Sequence, residues 1–308
     1  MLYFSCTPVK KSYILQKIPQ YNMIELPLLG RQKRKSIAPS KIEYVDLAAN
    51  PVFGCSHACT YCYSRKMQLQ YKQASSKAEW HKPKLYDGFF ERLKEQLDTG
   101  LIGPDREIFV ASMTDVYQPA AFANNIGRKL IGMLQDYGAR YRLLTKSPDV
   151  AQDADLFDGY KNGVIGLSIT TDINNPQQKK WEPRTRPIKE RLEALGILSN
   201  YDIRLWSSVE PVLPGTNTLQ LFTDLIKYSN VKLEQIMVGK MNYEAGTDDL
   251  VDWKDTLELL EDLRVGFPTI HFHYKKETVN YLDRKGWIKE FNVNLDEVLN
   301  DKQVLMQL

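Results

Sequence analysis

From residue 41 onward the chain alternates two kinds of segment, and that alternation constrains its fold more than any other feature. Short runs rich in β-branched and aromatic residues read as strands near Glu43–Ala48, Glu107–Ser112, Arg140–Thr145, Val164–Thr170, Arg204–Val209 and Gln235–Val238. Between them lie segments of helical period: "YDGFFERLKEQLDTG" ending on Gly100, "NNIGRKLIGMLQDYG" ending on Gly138, "RPIKERLEALGIL" opening after Pro187, and "NTLQLFTDLIKYS". Their glycine stops and proline start are the expected end chemistry of helices. Strand, helix, strand, repeated, implies right-handed crossovers and a parallel sheet. A barrel or part-barrel of such units gathers functional groups at the C-terminal ends of its strands. "TIHFHYK" (Thr269–Lys275) reads as a further strand, with a short tail beyond Asn280.

Residues 1–40 interrupt this pattern with prolines at 8, 19, 27 and 39 and the basic run "RQKRKS" from Arg31. They read as an irregular basic arm, followed by a core over 41–245 and a helix/strand extension over 246–308 packed on it. The balance of 43% apolar and 26% charged residues suits a soluble globular protein with a core that needs no staples. The start carries lysines too early and an apolar run too short for a signal peptide, and no uncharged stretch reaches the length of a membrane span. A net charge of +3 neither announces nor excludes a nucleic-acid partner. Cys6 stands far from the other three cysteines, unlike a secreted disulfide framework, so a reducing cytoplasm is the expected location.

Those three cysteines sit in "NPVFGCSHACTYCYSRKM" (Asn50–Met67), directly after the first strand. Cys55, Cys59 and Cys62 are spaced C-x3-C-x2-C, on a loop that the barrel reading places at the active face. A structural zinc site closes with four ligands. His57 or His81 would have to supply the fourth here, because no second C-x2-C or H-x3-H follows. A thioredoxin-like dithiol would use Cys59 and Cys62 and leave Cys55 idle. An iron–sulfur cubane suits the spacing better, since three thiolates hold three irons and leave the fourth open to a small molecule. An open iron on a reducing cluster binds the amino and carboxylate groups of S-adenosylmethionine and delivers one electron to its sulfonium. Breaking the carbon–sulfur bond gives a primary carbon radical, chemistry that cofactors rather than side chains carry out.

This loop resembles the signature of the radical SAM superfamily, and the likeness extends to its spore photoproduct lyase-like branch. "NPVFGCSHACTYCY", "TDVYQPA" (Thr114–Ala120), "LLTKS" (Leu143–Ser147), "GLSITT" (Gly166–Thr171) and "WEPRTRPIKERLEAL" (Trp181–Leu195) match that branch in type and order. The resemblance implies an α/β fold, a partial (β/α)6 TIM-like barrel, in agreement with the strands read above. It implies a [4Fe–4S] cluster on Cys55, Cys59 and Cys62, with Lys146 and Ser168 holding the methionyl carboxylate of S-adenosylmethionine. Thr114 and Asp115 would lie near the substrate amine or ribose, and Tyr61 over the adenine. Tyr61 and Tyr63, flanking the last cysteine, would be candidates for radical return to the cofactor. A small reducing protein such as flavodoxin or ferredoxin would supply electrons.

Each assignment has a plainer alternative. A Thr-Asp pair at a strand end is often a helix cap, and aromatics beside a cluster commonly pack and shield it. Arg184 and Arg186 are candidates to guard the barrel mouth or bind a phosphate, while Arg191 suits an ion pair with a glutamate. Glu210, after the fifth strand, is a candidate polar contact at the active face or simply the start of a turn at Pro211. His271 and His273 would share one face of a strand, as a metal pair or as half-buried strand histidines. The lyase branch has a cysteine just ahead of its Thr/Ser-Asp stretch that quenches the substrate radical; this chain has Ser112 and Met113 there. Serine's O–H bond is too strong to replace a thiol donor, so lesion reversal by the lyase's own route is not expected. The expected activity is hydrogen abstraction from a substrate by a 5′-deoxyadenosyl radical, with a nucleobase or nucleic acid favoured by analogy. Radical modification of a protein or peptide, and a non-catalytic iron–sulfur or zinc module that binds nucleic acid, are the alternatives.

Overall fold

The computed structural model describes residues 24–290 apart from 31–34, 101, 104, 243 and 245. Cys6, most of the basic run from Arg31 and the tail beyond 290 lie outside the described residues.

Eleven strands are described: β1 (Leu28–Leu29), β2 (Ile37–Pro39), β3 (Leu47–Ala49), β4 (Val52–Phe53), β5 (Lys84–Tyr86), β6 (Glu107–Val110), β7 (Arg140–Thr145), β8 (Gly163–Ser168), β9 (Arg204–Val209), β10 (Leu233–Val238) and β11 (His271–Tyr274). Eight form one sheet in the order β11-β10-β9-β8-β7-β6-β3-β2, parallel throughout except for β2 against β3. The other three make a small sheet beside the cysteine loop, in the order β1-β5-β4. The helices of eight residues or more are α1 (Tyr63–Gln70), α2 (Phe89–Asp98), α3 (Ile126–Asp136), α4 (Ile188–Leu198), α5 (Thr218–Tyr228), α6 (Trp253–Gly266) and α7 (Lys276–Arg284). Gly100 and Gly138, with φ of +64° and +66°, end the segments of α2 and α3 where the sequence placed stops.

Strand alternation sends side chains to two different cores. One face of the sheet gives Ile108, Val110, Leu143, Ile165, Leu167, Leu205 and Ile236 to the main core, which the helices cover. The other face gives Ala48, Phe109, Leu144, Val164, Trp206 and Met237, one from each of six neighbouring strands, to a single smaller cluster around Tyr44. Six strands share one cluster only if the sheet curls around it. Arg142 on β7 donates from Nη1 to Gln235 Oε1 on β10 at 2.9 Å; strands three positions apart in a flat sheet are separated by about 14 Å. Glu43, just ahead of β3, accepts from His273 Nε2 on β11 at 3.1 Å, although about 29 Å would divide those strands in a flat sheet. Side chains thus bridge the two ends, while β2 and β11 share no ladder. Gly166 permits the tight filling: a Cβ there would lie 2.3 Å from Trp206 Nε1, and that indole donates to the Leu143 carbonyl at 2.9 Å.

The first strand differs from the sequence reading, which placed it over Glu43–Ala48. Glu43 and Tyr44 are drawn away to His273 and to an aromatic group with Phe109 and Trp206, so pairing starts at Leu47. The second strand stops at Val110 and not at Ser112, because Ala111 turns to φ +55°. The fourth ends at Ser168, two residues before Thr170. Within the segment read as an irregular arm, Leu28–Leu29 and Ile37–Pro39 are short strands.

Candidate active site

The cysteine loop follows β4 and ends at α1, above the C-terminal ends of the parallel strands. Its entry is fixed by Gly54, at φ +83° and so close to the next chain segment that a Cβ would stand 2.5 Å from the Trp80 carbonyl. That carbonyl accepts the Cys55 N–H at 2.9 Å, and the Trp181 carbonyl accepts the Thr60 N–H at 2.9 Å. Gln118, fully buried, accepts the Ser56 N–H at 2.7 Å and donates to the Gly54 carbonyl at 3.0 Å. Arg65 on α1 donates to the carbonyls of Cys59 and Thr60 at 2.9 and 2.5 Å. Cys62 caps α1, its Sγ accepting the Arg65 N–H at 3.4 Å. The loop is therefore held by backbone and buried side chains, and its three thiols are left free.

Those thiols influence one another. Burial first, then Asp115 and the sulfurs of Cys59 and Cys62, push the Cys55 thiol well up. Cys59 is pushed up to about 12 by burial and Glu182, with Lys146 pulling the other way and Cys62 adding to the rise. Cys55 and Cys59, desolvated and beside other acidic groups, resist ionisation unless positive charge is brought next to them. Among the described residues no three His, Cys, Asp or Glu side chains group as ligands of a single metal ion. A cubane makes a different demand, one thiolate at each of three irons. Three cysteines without a disulfide on one loop fit it.

Facing the loop, Lys146 at the end of β7 donates from Nζ to Ser168 Oγ at 2.9 Å. The same ammonium lies 5.7 Å from the Tyr61 ring centre and has no carboxylate within ion-pair distance among the described residues. Ser168 is buried at the end of β8. Tyr61 packs against Trp181, Leu213 and Met241, and its hydroxyl donates to Glu182. Glu182 is fully enclosed and also accepts from Arg191, from Thr170 at 3.0 Å and from Thr185 at 3.3 Å. Burial raises its pKa, but the Arg191 and Lys146 charges outweigh that and hold the carboxyl well below its usual range. The ion pair expected for Arg191 thus exists, with Glu182 as the partner, and it fixes Tyr61.

Asp115 lies just after β6 and is saturated with donors. His57 Nε2 donates to it at 2.9 Å, Thr145 Oγ1 at 2.8 Å, the Lys146 N–H at 2.9 Å and the Tyr117 N–H at 2.8 Å. Burial works against its charge, and the His57 bond and the other donors keep its pKa low. It ties the cysteine loop to β6 and β7. Thr114 Oγ1 donates to the Val52 carbonyl at 3.3 Å. Tyr63, 42% exposed at the start of α1, donates to the Ser112 carbonyl at 2.5 Å. Glu210, half-buried after β9, shows a pKa raised by burial, with Lys275 opposing. Its side chain and that of Lys275 both crowd Gly239, where a Cβ would stand 2.8 Å from Glu210 Cγ and 3.1 Å from Lys275 Cγ. His271 and His273 lie side by side on β11, with ring centres 6.5 Å apart.

Gln118, Glu182 and the His57–Asp115 bond were not assigned from the sequence. Gln118 and Glu182 lie in "TDVYQPA" and "WEPRTRP", but nothing in a linear segment tells which polar residue turns inward.

A model of the family described as "Protein of unknown function (DUF5131)" matches residues 39–253. An uncharacterised protein of Methanocaldococcus jannaschii is 27% identical over 192 residues, covering 62% of this chain and 69% of that one. An uncharacterised protein of Acidianus two-tailed virus is 25% identical over 235 residues, covering 68% and 75%. Among solved structures, spore photoproduct lyase complexed with dinucleoside spore photoproduct aligns with a TM-score of 0.58 at 16% identity, covering 80% of this chain and 82% of the lyase. A variant of that lyase with bound AdoMet and dinucleoside spore photoproduct aligns at 0.59 and 17%, covering 80% and 81%. Streptococcus suis SuiB bound to S-adenosylmethionine aligns at 0.50 and 9%, covering 85% of this chain and 53% of SuiB. The likeness is one of fold, a mixed α/β architecture with a parallel sheet.

Proposed function

The chain belongs to the DUF5131 family of proteins of unknown function, and for this member of it we propose a radical SAM enzyme built on a partial barrel. The observation that carries the reading is the pairing of two features: three cysteines free of disulfides on one braced loop, and opposite them an ammonium that, among the described residues, has no carboxylate within ion-pair distance. Cys55, Cys59 and Cys62 would hold a [4Fe–4S] cluster, and Lys146 with Ser168 would take the carboxylate of S-adenosylmethionine through charge-assisted bonds. When bound, the reduced cluster supplies the electron that cleaves S-adenosylmethionine and so generates the radical that removes hydrogen from substrate.

The chain's own residues orient and enclose. Glu182 and Arg191 lock Tyr61 so that its ring borders the Lys146 head, where it would cover the adenine. Thr114 and Asp115 would act from the β6 end, Asp115 by fixing the position of Lys146 through its N–H. Glu210 would border the same space from the β9 end. Tyr63 stands at the outer edge of the loop, placed as a candidate for hydrogen return. A nucleobase or nucleic-acid substrate is supported by the dinucleoside bound in the lyase that shares the fold. The absence of cysteine at Ser112 and Met113 argues for a product route different from the lyase's.

Anaerobic reconstitution with iron and sulfide tests the cofactor. The expected result is about four irons per chain with the absorption of a [4Fe–4S] centre, abolished by Cys59→Ala. A colourless chain that binds one zinc in its place would overturn the reading.

A further inference from the structure

The ends of β9, β10 and β11 carry a polar pair that the chemistry above leaves unused. Val209 pairs with Val238, and Val238 with Tyr274. The ladder runs one residue further, the Gly239 N–H donating to the Val209 carbonyl at 3.1 Å and the Lys275 N–H to the Val238 carbonyl at 3.0 Å. Glu210, Gly239 and Lys275 therefore form the next row across the three strands. Trp206 and Met237 fill the inside of the curled sheet; Glu210, four residues after the first, and Gly239, two after the second, face the same way. Ser208, two residues before Glu210, pairs with Ser168, so this row stands one step nearer the mouth than Lys146 and Ser168.

The side chains of Glu210 and Lys275 close over Gly239 from its two sides, yet their charges do not pair. Lys275 Nζ turns to Glu43 Oε1 at 3.4 Å and lies 4.9 Å from the Tyr44 ring centre. Glu210 is left, among the described residues, without a hydrogen bond or an ion pair on its carboxylate. It is half-buried, and neither carboxylate oxygen is sealed from solvent. A partly desolvated carboxylate ordinarily finds donors within the protein; this one is open for donors from outside. The Lys275 ammonium has three N–H donors. Glu43 takes one and holds the head in place, and the side chain stays 12% exposed.

An open carboxylate beside a held ammonium is selective. A cationic ligand group would meet Lys275 as a like charge, and an anionic one would meet Glu210. A neutral planar group suits both if it offers two adjacent N–H donors to the carboxylate and, next to them, an oxygen to the ammonium. Of the common bases, guanine alone has that order on its pairing edge: the 2-amino group, N1–H and O6. Adenine and cytosine set a ring-nitrogen acceptor against the carboxylate, and uracil and thymine offer one N–H between two carbonyls. We infer that Glu210 and Lys275, across Gly239, form a recognition site for the pairing edge of a guanine base in the substrate. This rests on the nucleobase reading of the substrate and names the base, while the contacts themselves need neither cluster nor radical.

The test is calorimetric titration of the full chain, as purified and after anaerobic reconstitution with S-adenosylmethionine present, with guanosine, inosine, adenosine and uridine. A short single-stranded DNA with one central guanine, or hypoxanthine in its place, is titrated alongside. Guanosine is expected to bind about 10- to 100-fold more tightly than inosine, which lacks only the 2-amino group and so one hydrogen bond to a charged acceptor. That comparison is made on wild type and needs no variant. Glu210→Gln breaks no contact among the described residues, and it should weaken guanosine by about 10- to 100-fold and bring guanosine and inosine to within about twofold of each other. Tighter binding of the guanine strand than of guanosine identifies a base within a nucleic acid; equal or weaker binding identifies a free nucleoside or nucleotide. Equal affinity for guanosine and inosine, wild-type guanosine binding by Glu210→Gln, or no guanine ligand bound in either state would overturn the proposal. So would a loss of S-adenosylmethionine affinity in Glu210→Gln with guanosine binding unchanged, which would place Glu210 in the cofactor's site. Iron content and 5′-deoxyadenosine are not read here, so the radical reading and this one fail separately.

Discussion

Single residues do separable jobs in this site. Glu182 and Arg191 are both fully enclosed, so neither charge is tolerable alone. Arg191→Met leaves an uncompensated carboxylate and should lower stability by about 3–5 kcal/mol, read as a fall in the urea midpoint. A midpoint within error of wild type would show that the pair is not the brace described. Lys146 answers a different question, because among the described residues its head meets a serine hydroxyl and an aromatic face. Lys146→Ala should weaken S-adenosylmethionine binding by about 10- to 100-fold, the worth of one hydrogen bond to a charged group, with iron content unchanged. Calorimetry on the reconstituted chain measures it, and unchanged affinity would remove Lys146 from the carboxylate site.

At the scale of elements, the loop is shaped by a glycine whose position the sequence shows and whose reason it does not. Gly54 has a positive φ and lies against a backbone carbonyl that cannot give way, so Gly54→Ala must displace either the loop or the Lys77–Trp80 helix. The expected outcome is a folded chain, with wild-type far-UV circular dichroism, that retains less than half the wild-type iron; full iron would mean the loop tolerates the shift. The parallel strands and the helices between them were legible because each carries its own period and end signals: α4 begins right after Pro187, and Gly100 and Gly138 take the left-handed conformation. The first strand was misplaced because Glu43 and Tyr44 look like strand residues locally and are claimed by β11, some 230 residues away. The three cysteines stand out in the sequence because their spacing falls within one short segment. Asp115 and Glu182 gain their roles from His57, Thr145, Tyr61 and Arg191, partners that only the fold brings together.

For the whole molecule, the contact that bridges the two ends of the curled sheet makes a pH prediction. Burial pushes the Glu43 carboxyl up, and the His273 bond and the Lys275 charge outweigh it, leaving a pKa of about 2 against an ordinary 4.5. The bridge is therefore at full strength above pH 4.5 and is lost as pH falls toward 2. His273 is held below its ordinary 6.5 by burial, so unfolding takes up a proton there and stability falls in the same direction, starting higher. Urea midpoints of wild type should drop between pH 4.5 and 2 more steeply than those of Glu43→Gln. Parallel curves would mean that the bridge contributes nothing to holding the sheet curled.

On the proposed reading, that curled sheet, with thiols at one rim and Lys146 and Ser168 across from them, would serve one-electron cleavage of S-adenosylmethionine. The most direct measurement is 5′-deoxyadenosine formed by the anaerobically reconstituted chain with S-adenosylmethionine and dithionite, followed by chromatography. Formation is expected to require all three of Cys55, Cys59 and Cys62. No 5′-deoxyadenosine from a chain carrying its full cluster, or undiminished formation by Cys59→Ala, would contradict it.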